Sequence, residues 1–188
     1  GLLSGLQWSS ERTNSWWAWQ LRNYHLSQLR FLPQEIAAWS SKIDSGLASK
    51  EQKAALVALA DTLEVLSDRV TELARMRKAV AEPQFIALLR PEVAIWRTGI
   101  LSVVETLRTN SASVDPAHLS ELLQNKIARL EAAIAKAVNE GELENVSSPG
   151  IANMQRVLAA YDSVSRALIQ TAMSIRNVAW ERLAETRF

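Results

Sequence analysis

Leucine, isoleucine and valine recur along the chain at alternating steps of three and four, the period that returns side chains to one face of a helix. The clearest run is Leu56, Leu59, Leu63, Leu66, Val70 and Leu73, with Asp61, Glu64, Asp68, Arg69, Glu72 and Arg75 off the stripe. Ser49 with Gln52 three positions on has the spacing of a capping box, so a helix is predicted from there to about Val80. Upstream, Ser10 to Phe31 reads as a first helix, interrupted at Pro33 and resumed from Gln34 to about Ile43. Proline in a helix interior removes a hydrogen bond and clashes with the preceding turn, hence the expected interruption.

Beyond Pro83 the pattern predicts a short turn through Phe85 to Leu89. After Pro91, a third helix carries Val93, Trp96, Ile100, Val103 and Leu107 to about Arg108. Asp115-Pro116 combines a capping acid with a proline suited to the first helical position. It opens a fourth helix with Leu119, Leu123, Ile127, Leu130, Ile134 and Val138 on one side and Gly141 at its C-terminal cap. Ser148-Pro149 repeats that start signal. Met154, Val157, Tyr161, Val164, Leu168, Ala172, Ile175 and Val178 then predict a last helix almost to Phe188. Narrow stripes of this kind are buried by antiparallel neighbours joined through short loops. The expected fold is therefore all-α, an elongated up-and-down bundle of four to five helices, with residues 1–188 forming one domain.

Composition sharpens this picture by exclusion. The chain is 48% hydrophobic and 22% charged with a formal net charge of +1, unlike a disordered chain. Its 6 glycines and 5 prolines are too few for a turn-rich β fold, and the absence of cysteine removes disulfides and thiolate chemistry. Balanced charge gives no reason to expect nucleic acid. Charge is nevertheless unevenly placed. Arg12, Arg22 and Arg30 outweigh Glu11 near the start, and Arg156, Arg166, Arg176, Arg182 and Arg187 outweigh Asp162, Glu181 and Glu185 near the end.

Tryptophan accounts for 7 aromatic residues against 2 tyrosines and 3 phenylalanines, and it clusters at Trp8, Trp16, Trp17 and Trp19, with Trp180 near the other end. Trp16, Trp17 and Trp19 point in different directions around a helix, so one core face cannot take all three. Two readings follow. Some enter the core while others lie under loops, or the group faces a membrane surface or a protein partner, where indoles are favoured.

Candidate chemistry is sparse. The two histidines, His25 and His118, stand outside any Glu-x-x-His or His-x-x-x-His spacing, and both read as surface or boundary residues. No nucleophile elbow, phosphate-binding glycine loop or dinucleotide fingerprint occurs. No catalytic residue, metal site or cofactor is therefore expected. The chain reads as non-enzymatic. A ligand, if bound at all, is expected between helices near Trp39, Trp96 and Tyr161, although all three also suit a core.

No apolar run reaches the length needed to span a bilayer as a helix. The chain opens Gly1-Leu2-Leu3 without methionine and stops inside a helical pattern, which reads as a processed or excised segment. Together with the terminal tryptophans and arginines, this suggests a helical extramembrane domain of a membrane-associated, bacterial protein. Its expected place is the periplasm or another extracytoplasmic space, serving sensing, spacing or partner binding. Its general shape is similar to that of four-helix sensory domains of bacterial receptors and of helical soluble regions of some exporters. The competing expectation is a soluble adaptor or scaffold that self-associates or binds a partner helix. The expected contacts are thus a protein partner, a second copy, or a membrane surface at the chain ends through Trp8, Trp16, Trp17, Trp19 and Trp180.

Overall fold

A computed structural model describes Ser27, residues 31–38, Ser41, and residues 49–79, 83–110 and 113–181. Residues 31–38 are helical (α1), followed by α2 (Lys50–Ala79), α3 (Pro83–Asn110), α4 (Pro116–Asn139) and α5 (Ser148–Asn177). No strand occurs among the described residues. The fold is an all-α helical bundle.

Helix starts follow local chemistry. The Ser49 hydroxyl accepts from the Gln52 amide at 3.3 Å, and Asp115 accepts from the Ala117 amide at 3.1 Å. These caps satisfy amides that lack a partner within the helix. At α5 the cap is Ser147 rather than the expected Ser148, with its hydroxyl accepting from Gly150 at 3.1 Å. Gly141, with φ of +73°, ends the α4 turn in a conformation that favours glycine.

Two predicted breaks are absent. Residues 31–38 are helical across Pro33, and α3 runs unbroken through Pro91. The burial pattern explains the second case. Phe85 and Leu89 are as deeply buried as Val93, Trp96 and Ile100 further along, so one continuous apolar face spans the proline. Burying two more large side chains, at about 1.5–3 kcal/mol each, offsets a proline penalty on the order of 3 kcal/mol.

A third correction concerns Val138, which is 56% exposed while Ala137 is buried in its place. An ideal helix advances 100° per residue, so Ala137 returns to the azimuth of Leu119 whereas Val138 lies about 100° away. The fourth is the end of α5. The helix is interrupted after Asn177, where Val178 is extended, and Trp180 and Glu181 are helical again; the rest of the expected run to Phe188 lies outside the described residues. Val178 is buried against Leu56 and Leu59, a contact it makes from outside the helix.

Neighbouring helices alternate in direction. Thr171 of α5 reaches the Thr62 carbonyl of α2, and Val178 meets Leu56 and Leu59, so α2 and α5 run antiparallel along their lengths. Arg129 of α4 pairs with Glu92 of α3, and Lys126 lies over Gly99 one turn further, which makes α3 and α4 antiparallel as well. The helix packing order is α2, α5, α4, α3, with α5 central and a smaller direct contact between α3 and α5. The start of α2 and the end of α5 consequently lie side by side.

Candidate functional site

The deepest part of the core is an aromatic centre joining α3 to α5. The Trp96 and Tyr161 rings meet edge to face, with centroids 4.7 Å apart and planes at 73°. The buried Trp96 indole donates to the Ser165 hydroxyl at 2.9 Å, and Ser165 in turn donates to the Tyr161 carbonyl at 3.0 Å. Trp96 and Tyr161, expected near a ligand, are both buried and pack on each other, and neither lines the two grooves that flank them. Trp39, the third residue of that expectation, lies outside the described residues.

Two open grooves flank the centre. One, of about 490 Å³ between α3 and α4, has a floor of Ala133 and Ala137 and a rim of Glu92, Arg129, Lys136 and Glu140. The rim charges pair with each other. Arg129 holds Glu92 through two bonds of 2.8 and 3.1 Å, and Lys136 lies 3.8 Å from Glu140. The second groove, of about 280 Å³ between α4 and α5, is lined by Ser120, Gln124, Asp162, Ser165, Arg166 and Gln170. Gln124 bonds Ser120 at 3.3 Å and Arg166 bonds Asp162 at 2.8 Å, so these polar groups also satisfy one another.

The resolved carboxylate shifts all come from a neighbouring hydrogen-bond donor. Glu92 is held below the usual carboxylate range by its hydrogen bond from Arg129, against an opposing effect of burial, with the Arg129 charge assisting. Arg108 does the same for exposed Glu105, and Ser49 for Glu51. Each perturbation favours the ionised carboxylate. Among the described residues no group of three His, Cys, Asp or Glu is gathered as a metal site would require. His118 is exposed in the first turn of α4, as expected, and His25 lies outside the described residues.

Of the predicted interface tryptophans, Trp8, Trp16, Trp17 and Trp19 lie outside the described residues. Trp180 follows the end of α5 with 43% of its surface exposed. Its indole donates back to the Ile175 carbonyl at 2.9 Å, which also accepts the Val178 amide at 3.3 Å. Among the described residues no helix is long and apolar enough to cross a membrane.

Sequence reasoning missed Ser165, Glu92 and Arg129. Ser165 stands four positions after Tyr161 on the buried face of α5, and a serine on a core stripe is the one signal that marked it. Glu92 and Arg129 are 37 positions apart, beyond the reach of any single-helix spacing. No family model matches the chain, and no curated protein or solved structure does either.

Proposed function

We propose that the chain is a non-enzymatic helical module of a membrane-associated, extracytoplasmic bacterial protein, which senses, spaces or binds a partner outside the bilayer. The observation that carries this reading is the adjacency of the α2 start and the α5 end, with half-exposed Trp180 at that same end. A module attached at one end of its bundle uses that arrangement: the indole sits where an apolar body and a polar edge are both accommodated. Grooves whose polar groups pair with one another suit a spacing or partner-binding role.

Flotation with vesicles of phosphatidylglycerol and phosphatidylcholine tests the reading. The full chain is expected to float with anionic vesicles. Replacing Trp16, Trp17, Trp19 and Trp180 by serine is expected to abolish flotation while circular dichroism stays unchanged. A chain that ignores both vesicle types sinks the membrane part of the proposal.

One observation favours a second reading, a soluble adaptor that self-associates or binds a partner helix. α3 lies at the outside of the packing order and exposes Leu101 and Val104, three residues apart, at 37% and 41%. A monodisperse dimer by light scattering, indifferent to lipid and dissociated by Leu101→Lys, would establish the adaptor instead.

A further inference from the structure

Each outer helix of the packing order turns a second stripe away from the core. On α3, Arg90, Ala94, Arg97, Leu101, Val104 and Arg108 follow one another at steps of four and three, within an arc of about 80°. Leu101 and Val104 are exposed between Arg97 and Arg108. Arg97 is half-buried, and its Nε is enclosed without a hydrogen-bond acceptor among the described residues. On α2, Val57, Asp61, Val65, Asp68 and Glu72 occupy an arc of about the same width, with Glu64 at its edge. Val57 and Val65 are each 49% exposed. Asp61, Glu64 and Asp68 form no ion pair among the described residues. The two stripes are opposite in charge and matched in length. Asp61 and Glu72 flank Val65, as Arg97 and Arg108 flank Leu101 and Val104, and each flanking pair is eleven residues apart, about 16 Å along the helix. Glu72 and Arg108 hold exposed partners on their own helices, Arg75 and Glu105, in pairs weak enough to exchange.

We propose that both faces are occupied by a second copy of this chain, the acidic α2 face of one copy packing on the basic α3 face of another. The proposal rests on the second reading above, self-association through the exposed α3 residues, and names the surface that α3 meets. Apolar side chains left open in a row mark a site for a partner, and the charges around them select which one. Two α3 faces laid together set the guanidinium groups of one copy against those of the other, and two α2 faces do the same with carboxylates. Like charges brought together across an interface suppress both pairings. An α2 face on an α3 face instead sets carboxylates at 61 and 72 against guanidinium groups at 97 and 108. Val65 then lies against Leu101 or Val104 in the interval between them. Within one copy the two stripes lie on opposite ends of the packing order and are both exposed, so they meet only between copies.

Sedimentation equilibrium of the full chain and two variants tests it. The α2 variant carries Asp61→Lys and Val65→Lys, and the α3 variant carries Leu101→Glu and Val104→Glu. All four positions are exposed, and circular dichroism checks that each variant keeps its helix. The native chain should self-associate, at least about threefold more weakly in about 0.5 M salt than in about 0.05 M. Each variant alone should be monomeric. An equimolar mixture should form a complex of one copy of each, because the intact α3 face of the first meets the intact α2 face of the second. An α2 variant that self-associates like the native chain, beside a monomeric α3 variant, overturns the inference and leaves the second reading standing with α3 meeting itself. A mixture of the two that stays monomeric overturns it as well, and so does native association indifferent to salt. Association that survives in both variants assigns the contact to another surface and overturns it too. A native chain that remains monomeric up to about 1 mM overturns the inference together with self-association through α3.

Discussion

Ser165→Ala isolates a buried side-chain hydrogen bond that ties α3 to α5. The native hydroxyl accepts from the Trp96 indole at 2.9 Å, and both residues are almost wholly buried, Ser165 at 2% exposure. Alanine keeps the helix and nearly the volume but leaves the indole N–H without its acceptor. A buried donor stripped of its partner costs about 1–3 kcal/mol. Ser165 also lines the groove between α4 and α5, which gives water a route to the vacated position, so the lower part of that range applies. For a chain of this length a loss of about 1–2 kcal/mol lowers Tm by roughly 2–8 °C. Urea unfolding followed by far-ultraviolet circular dichroism measures the change directly. Trp96→Phe removes the donor, so the double variant should be more stable than the two single losses predict, by about 1 kcal/mol. A Ser165→Ala cost below about 0.5 kcal/mol, within the scatter of surface substitutions, together with strict additivity, would refute the reasoning.

Other perturbations probe the remaining features. Pro91→Ala restores an amide to the middle of α3 and should stabilise the chain by about 1–2 kcal/mol. The helix-interior penalty of proline exceeds the unfolded-state entropy it removes, and an unchanged or lower urea midpoint would count against a continuous α3. Gly141→Ala forces a side chain into φ of +73° and should cost about 1 kcal/mol, measured by the same unfolding. Arg129→Gln should destabilise the chain at neutral pH. Glu92 binds its proton less readily when folded, so the stabilisation is fully present above the ordinary carboxyl pKa and lost as pH falls through the lower folded value. Midpoints of the variant and the parent should therefore converge in acid, and a gap that persists there would assign the effect to packing.

The helices themselves were legible because a helix is a local object. Steps of three and four placed Leu56, Leu59, Val70 and Leu73 correctly in the interior, and Asp115-Pro116 marked the α4 start to the residue. Local rules failed where tertiary burial outweighed them. Pro91 reads as a stop, but the deep burial of Phe85 and Leu89 carries the helix through it. Val138 follows a heptad count that a straight helix outruns over five turns. The break after Asn177 carries no glycine or proline, and it is set by the place of Val178 against α2.

The site was less legible than the fold. Trp96 was recognised as a core residue, yet its partner Ser165 lies 69 positions away. The pairing depends on how far α3 and α5 rotate and slide relative to each other, which a stripe along one helix does not specify. The grooves depend on the same inter-helix register. Trp180 was singled out from its residue type alone, and its return to the Ile175 carbonyl follows from the break in α5, which the periodic pattern conceals.

Distances between spin labels test the antiparallel α2–α5 pairing most directly, and with it the adjacency that supports the functional proposal. The chain has no cysteine, so Val57→Cys can be labelled in turn with Arg176→Cys or Ile151→Cys, all three positions being exposed. A label at 57 should lie close to one at 176. It should lie on the order of 30 Å further from one at 151, since 25 helical residues separate those two sites on α5. The reverse order, or equal distances for the two pairs, would contradict the bundle described above.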